Sequence, residues 1–411
     1  SYGAVTITGS TFTGNAAQTA GGGIAILNGG GFSGSLAVTN STFSANQAEA
    51  YAGAISFNTT LSNTITNCTI TLNQQTNVQG GSGGLDIVTA GTVTLKNTVI
   101  INNTKNGGIQ SNIGGTVNAS SSFNLVGTGD TGGLTNGVNN NQVVVGNGLL
   151  GTLGNYGGTT QTVPLLPSSP AINAGTSTGA PTTDQRGIAR VGNVDIGAFE
   201  SRGFTLAVSG GNNQSTGAGS AFALPLSVAV TSANSEPVNG GQVTFTPPGS
   251  GPSASIAGNP ATIASGTATS GTVMANATAG GPYNVSANAN GAVPIDFLLT
   301  NTNSAPSFIP SSALSRQQGS PGASAVQVGT VSDAQTSAGS LTVTQIPGGT
   351  ATGITVSSIV NVNGTINAVV TAGCTATSGT VRFQVSDGSL TGTGDLTVNV
   401  TANTAPSVTY A

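Results

Sequence analysis

The sequence predicts an all-β protein in which a parallel β-helix is followed by two β-sandwich domains. Three observations support this fold class: four early segments align without gaps, apolar residues recur at every second position, and 64 of the residues are Gly. A period of two is typical of strands, and a high density of Gly and Thr disfavours helices. A chain of 411 residues is also too long for one core, so we expect three domains.

The four aligned segments predict the rungs of the β-helix. They are Val5–Asn15, Leu36–Asn46, Asn63–Asn73 and Val93–Asn103. Their terminal Asn residues are separated by 31, 27 and 30 positions, and a β-helix absorbs such differences in external loops. We expect stacked columns in the core, namely Ile7, Val38, Ile65 and Leu95; Phe12, Phe43, Ile70 and Ile100; and Ile24, Ile55, Leu85 and Ile109. The terminal Asn residues are expected to stack as a ladder, and Cys68 to share a column of small residues with Ser10, Ser41 and Thr98.

Composition excludes several classes of partner. The chain has seven Lys plus Arg, 11 Asp plus Glu and a net charge of −4. This lacks the basic surface that nucleic acid or an anionic membrane requires, and no apolar run approaches the roughly 20 residues of a membrane span. We therefore expect no nucleic-acid partner and no membrane insertion of this segment. Cys68 and Cys374 are expected in different domains, without a bridge between them.

The repeats, carried by "STFTGN", "STFSAN", "GGGI" and "AGAI" over about residues 1–125, resemble the right-handed parallel β-helix repeats of bacterial surface proteins related in fold to pectin lyases. Some relatives are polysaccharide lyases or hydrolases, whose sites need clustered carboxylates or a basic residue. Here the acids before the cluster described next are Glu49, Asp86 and Asp130, and the bases are Lys96 and Lys105. Asp86 is expected to point outward without a second acid in its column. We predict no catalytic, cofactor-binding or metal-binding residue, and no enzyme activity.

Residues 182–201 hold five charged side chains in a chain that is only 4% charged: Asp184, Arg186, Arg190, Asp195 and Glu200. Together with "SPAINAG", this "DQRG…DIGAFE" stretch resembles the C-terminal part of the choice-of-anchor Q domain, which implies secretion and surface attachment. An open β-helix end exposes unpaired backbone groups, so a cap is expected over it. We interpret the five side chains as structural ion pairs of that cap, with Asp184 joined to Arg186 or Arg190, and Asp195 or Glu200 joined to the remaining Arg. A metal or glycan site using Asp184, Asp195 and Glu200 is the alternative.

Two sandwich domains are expected after the cap, over 203–301 and 302–402. The first shows about seven separated strands, including a run that places Phe222, Leu224, Leu226, Val228 and Val230 on one face. "EPVNGGQVTF" and "TAGGPYNVSA" resemble the bacterial Ig-like domains of adhesins related to invasin. In the second domain, "VSDGS" resembles a calcium-binding loop of cadherin-like modules, with Asp333, Asp387 and Asp395 as the available acids. "NTAPSV" repeats "NSAPSF" 100 positions later, so a further repeat is expected to start at 403–411.

The complete expectation is a right-handed parallel β-helix with two Ig-like sandwiches, acting as a non-enzymatic structural or adhesive segment of a large bacterial extracellular surface protein. Both ends look cut through a repeat array, as in part of a fibre or filament. The partners left open are further copies of the protein, other surface proteins and a cell-surface glycan. The alternative function is a glycan-binding or polysaccharide-degrading β-helix protein.

Overall fold

A computed structural model of the chain describes residues 3–27, 34–77, 80–89, 91–320 and 324–403. The predicted all-β class and the parallel solenoid are confirmed: the described residues form 37 strands and two short 3-10 turns, Val138–Asn140 and Ala338–Ser340. Within these ranges, no helix has the length and apolar character needed to cross a membrane. The N-terminal residues 1 and 2 and most of the expected repeat at 403–411 lie outside the described residues.

The solenoid has about four turns, each built from short strands. The first rung contains β1 (Ala4–Thr8), β2 (Thr11–Thr13), β3 (Ala16–Ala17) and β4 (Ile24–Ile26). The second contains β5 (Ser35–Thr39), β6 (Thr42–Ser44), β7 (Gln47–Ala48) and β8 (Ile55–Phe57). The third contains β9 (Asn63–Thr66), β10 (Thr69–Thr71), β11 (Gln74–Gln75) and β12 (Leu85–Ile87). The fourth contains β13 (Val93–Lys96), β14 (Val99–Ile101), β15 (Thr104–Lys105), β16 (Ile109–Gln110) and β17 (Ile113–Gly114), and it is followed by β18 (Leu125–Gly127) and β19 (Gln142–Val144).

Equivalent strands of successive rungs form four sheets. Sheet A is β1-β5-β9-β13, sheet B is β2-β6-β10-β14-β18-β19, sheet C is β3-β7-β11-β15-β16, and sheet D is β4-β8-β12-β17. Two predicted columns are confirmed by the register, because Ile7, Val38, Ile65 and Leu95 pair in sheet A and Phe12, Phe43, Ile70 and Ile100 pair in sheet B. The pairing continues to Val144, beyond the predicted limit near residue 125.

The prediction that Ile109 completes the third column is wrong. Leu85 pairs with Ile113, while Ile109 pairs antiparallel with Lys105 and is 57% exposed. The cause is a tight turn at Asn106 and Gly107, both of which have positive φ. That turn sends the chain back along β15 before it enters sheet D, so the fourth rung contains an extra strand that the ungapped alignment does not include.

The two C-terminal units are built from sheets in which most strand pairs are antiparallel and one pair in each unit is parallel. The first unit contains β20 (Thr205–Gly210), β21 (Gln214–Gly217), β22 (Ser227–Thr231), β23 (Gln242–Thr246), β24 (Ala254–Ile256), β25 (Ala261–Ala264), β26 (Thr267–Thr269), β27 (Val273–Ala275), β28 (Gly280–Asn288) and β29 (Ile295–Thr302). The second contains β30 (Ser307–Pro310), β31 (Leu314–Gln317), β32 (Val326–Ser332), β33 (Thr342–Ile346), β34 (Ile354–Val362), β35 (Thr365–Ala372), β36 (Gly379–Ser386) and β37 (Thr391–Thr401).

In the first unit, β20-β22-β26-β25-β23-β28-β29-β21 form one sheet and β24-β27 a small second one. The expectation of about seven strands is therefore too low, since ten form, several of them only three residues long. The prediction that Leu224 lies on the buried face is wrong: Leu224 is 57% exposed and precedes the strand, which begins at Ser227. The second unit has two four-stranded sheets, β30-β32-β35-β34 and β31-β37-β36-β33, around one core.

Apolar packing joins the solenoid to the first C-terminal unit. One buried cluster includes Val99 and Leu125 of the solenoid, Ile172 and Phe199 of the following segment, and Phe204 of the first unit. Continuous burial of this kind resists relative motion, because any separation would expose apolar surface. The two C-terminal units, in contrast, have separate cores, and Gln335 Nε2 donates to the Ala218 carbonyl across them at 3.1 Å.

Candidate functional site

Residues 148–201, here called the buttress, run along the flank of the solenoid. The contacts of the buttress fall on the first, third and fourth rungs: Thr160 Oγ1 donates to the carbonyl of Gly9 at 3.2 Å, Ala198 N to Thr69 Oγ1 at 3.0 Å, and Gly197 N to the carbonyl of Asn97 at 2.8 Å. The expectation that this segment covers an open end of the β-helix is wrong. These contacts line the corner between sheets A and B, where the chain turns and leaves backbone groups outside the ladders.

Two buried ion pairs hold the charged part of the buttress. Arg186 Nη2 lies 2.8 Å from Asp184 Oδ2, and Arg190 Nη1 lies 2.8 Å from Glu200 Oε2. All four side chains are at most 1% exposed. Charges so deeply buried are tolerated only when they are paired and hydrogen-bonded, so each ion depends on its partner.

Backbone N–H groups complete these pairs. The carboxylate of Asp184 accepts from the amides of Arg186, Ile188 and Glu200 at 2.8 to 3.1 Å. Arg190 Nη2 reaches the solenoid, where it donates to Asn40 Oδ1 at 3.1 Å. The charged side chains therefore replace the ladder hydrogen bonds that an irregular segment lacks, and they tie the segment to the second rung.

Asp195 lies beside these pairs and has no basic partner within ion-pair distance among the described residues. Its carboxylate accepts from the amides of Asn173 at 2.7 Å and Ser201 at 2.6 Å. Burial, together with the nearby charge of Glu200, raises the pKa of Asp195 to about 7. The sequence predicted that either Asp195 or Glu200 pairs with the second Arg. Glu200 is the residue that binds Arg190, whereas Asp195 holds two chain segments together.

Gln185 and Glu236 belong to the same network, although the sequence did not single them out for it. Gln185 Nε2 donates to Thr11 Oγ1 at 2.8 Å, and its Oε1 accepts from Thr42 Oγ1 at 2.6 Å, so one side chain links two rungs. Glu236 of the first C-terminal unit accepts from Ser201 Oγ at 2.9 Å and lies 4.0 Å from Arg186 Nη1. The sequence contains one signal for Glu236, which is an acidic residue in a stretch that has almost no other charge.

A second group of charges lines an open pocket of about 440 Å³ on the solenoid. The pocket contains Asp86, Lys105 and Asp130, surrounded largely by Gly. Lys105 Nζ lies 2.6 Å from Asp130 Oδ2, so these two side chains form an ion pair. Asp86 lies on β12, between β8 and β17 of sheet D, and is only 9% exposed; its Oδ1 lies over Gly114. Burial raises the pKa of Asp86.

The acids considered for calcium are engaged locally. Asp387 accepts from the amides of Ser389 and Leu390, each at 2.6 Å, and Asp395 pairs with Arg382 at 2.7 Å. Asp333 accepts from the amides of Gln335 and Thr336. Within the described ranges, no three Asp, Glu, His or Cys side chains gather as a metal-binding group.

Comparisons with known proteins give partial structural matches only. No family model matches the chain, and no curated protein matches it. Domains 4–9 of the surface layer protein SbsC match with 19% identity and a TM-score of 0.19, over 51% of this chain and 33% of that one. The endo-fucoidan hydrolase MfFcnA4 from glycoside hydrolase family 107 matches with 18% identity and a TM-score of 0.21, over 49% and 29%. The titin domains z1z2 in complex with telethonin match with 14% identity and a TM-score of 0.23, over 48% and 98%. The chain thus spans about a third of the surface layer protein chain, and TM-scores this low do not establish a common fold.

Proposed function

We propose that this chain is a non-enzymatic structural or adhesive segment of a large bacterial extracellular surface protein, where it acts as a stiff part of a fibre or filament. The observation that carries the proposal is the shared buried core of solenoid, buttress and first C-terminal unit. The resemblance of the buttress to the choice-of-anchor Q domain, and of 203–301 to bacterial Ig-like domains, supports a location at the cell surface. A weakly charged, Gly- and Thr-rich exterior suits a spacer that binds few partners nonspecifically.

Stiffness can be tested by measuring one distance across the junction. Spin labels at Thr60→Cys in the solenoid and Thr262→Cys in the first unit, with the exposed Cys374 replaced by Ser, are expected to give one narrow distance distribution. Glu236→Ala should broaden it, because the link from Ser201 to the first unit is lost. A broad distribution in the parent protein would contradict the stiff-segment proposal.

Location is tested on intact cells of the source organism. Antibodies against the first C-terminal unit, combined with external protease, should label and then remove the protein. Labelling that appears only after cell lysis would exclude a surface role.

The pocket of Asp86 and Asp130 favours the second candidate, a protein that binds or degrades glycans. Two carboxylates whose surroundings shift their pKa values in opposite directions, upward for Asp86 and downward for Asp130, are typical of an acid and base pair. The purified chain should be assayed on polyuronates and neutral glycans, with Asp86→Asn as the variant and the exposed Glu49→Gln as the matched control. Turnover that is lost only in Asp86→Asn would make this the function.

A further inference from the structure

The first rung of the solenoid is built like the others but is incompletely covered. Val5, Ile7, Phe12, Ile24 and Ile26 pack on the solenoid core and are only partly buried. Their equivalents one rung later are at most 1% exposed: Leu36, Val38, Phe43, Ile55 and Phe57. Each of the four strands of this rung pairs on one side only, so the end presents unpaired backbone groups around an apolar centre. Such an edge is a template for further strands.

The Asn ladder shows which kind of strand this end would accept. Asn15 N and Nδ2 both donate to Asn46 Oδ1, at 3.1 and 2.8 Å. Asn46 donates in the same way to Asn73, and Asn73 to Asn103, with all four distances between 2.9 and 3.0 Å. Asn46 and Asn73 thus each accept from the rung before and donate to the rung after. Among the residues that the structure describes, none donates to Asn15 Oδ1.

A second ladder has the same direction. Ser10 N donates to Ser41 Oγ at 3.2 Å, Thr98 N to Asn124 Oδ1 at 3.0 Å, and Asn124 N to Asn141 Oδ1 at 3.1 Å. Within the described part of the chain, Ser10 Oγ receives no such donor. At two corners of the first rung, therefore, the missing partner is a backbone N–H supplied from the N-terminal side.

We infer that a further rung of parallel strands stacks on β1 to β4, and that the polypeptide preceding Ser1 supplies it. This rung carries Asn at the ladder position, where its amide and backbone N–H donate to Asn15 Oδ1. The inference rests on the directions of the two ladders and on the half-covered core. It holds whether or not the protein is located at a cell surface.

A second copy of the chain does not fit this end. The opposite end of the solenoid does not present four parallel strands at one level, because sheet A ends at β13, sheet B continues to β19, and sheet C ends in the antiparallel β16. Two first rungs facing each other would bring acceptor against acceptor, Asn15 Oδ1 against its own copy. Only a rung in the same chain direction supplies donors to both ladders.

The experiment adds such a rung to the chain. The added rung is a copy of residues 34–61 placed directly before Ala4. Val5 and Asn63 both align with Leu36, so Val5 follows the copy at the position at which Asn63 follows residues 34–61, and the register is kept. Hydrogen exchange of the amides in β1 to β4 is expected to slow roughly tenfold or more in the extended chain, since each gains a partner strand. The matched control carries Asn46→Leu in the added copy only, and it should lose much of the protection near Asn15.

Two further measurements can overturn the inference. Sedimentation of the chain without the added rung should show a monomer; a dimer in which β1 to β4 are protected would assign the end to a second copy. Unchanged exchange in the extended chain would show that the end does not accept a rung at all. If the intact mass of the native protein shows that it begins at Ser1, a preceding polypeptide cannot supply the further rung.

Discussion

The guanidinium of Arg186 stacks on the ring of Phe199, with its central carbon 3.5 Å from the ring centroid. The same guanidinium is paired with Asp184, and Phe199 lies in the core shared by the solenoid and the first C-terminal unit. Arg186 therefore contributes both charge and packing at the point where three parts of the chain meet.

Arg186→Ala should lower the free energy of unfolding by about 3 to 5 kcal/mol, because it leaves the buried carboxylate of Asp184 without its cation. Denaturant unfolding of the whole chain measures this. The matched control is Arg382→Ala, whose pair with Asp395 is more than a third exposed, so its loss should change stability much less than the loss of the buried pair. Equal losses in the two variants would contradict a structural role for the buried pair.

The stability of the buttress should depend on the protonation of Asp195. Its pKa is raised from 3.8 to about 7, so between these values the folded chain holds a proton that the unfolded chain has lost. The stability contributed by this group is present below about pH 4 and is lost as the pH rises to about 7. Subtracting the unfolding free energy of Asp195→Asn from that of the parent should give a difference that falls over this window. A difference that grows with pH would show that Asp195 is ionised and stabilising.

Asn73→Ala should destabilise the solenoid by at least about 2 kcal/mol, because it removes the acceptor of the buried Asn46 amide and a donor to the Phe43 carbonyl. Asn15→Ala is the control, since Asn15 is exposed and ends the described ladder; it should cost less than about 1 kcal/mol. Thermal unfolding of both variants compares them. Similar effects at the two positions would mean that the ladder contributes little.

The register of the fourth rung predicts opposite results for two Ile residues four positions apart. Ile113→Ala should cost about 2 to 5 kcal/mol, because it leaves a cavity under sheet D, whereas Ile109→Ala should change stability by no more than about 0.5 kcal/mol. Chemical unfolding measures both. A larger loss of stability for Ile109→Ala than for Ile113→Ala would support the column that the sequence alignment predicted.

The two thiols should react at very different rates. Burial raises the pKa of Cys68 to about 12, while Cys374 is exposed. A thiol reagent at neutral pH should therefore modify one residue of the native chain, identified by peptide mass as Cys374, and reach Cys68 only on unfolding, since the thiolate is the reactive form. Rapid labelling of Cys68 in the native chain would contradict its place in the core.

The solenoid could be predicted from the sequence, because a rung is a local pattern that repeats. Side chains such as Val38 and Ile65 alternate with polar neighbours and recur after about one turn, so the columns and the Asn ladder could be read without knowing any long-range contact. The crowding of charge at Asp184 to Glu200 was equally visible, since charge is rare in this chain.

The position of these charges and the segments that they hold together depend on contacts between distant parts of the chain. Nothing local encodes the docking of Thr160 on Gly9 or of Gln185 on two rungs, because those partners are about 150 positions apart or more. The antiparallel turn that displaces Ile109 was also hidden, since one extra hairpin leaves the apolar alternation unchanged. A repeated sequence pattern predicts which side chains face the core. The path of an irregular segment such as the buttress depends on buried ion pairs, which form only when distant parts of the chain meet.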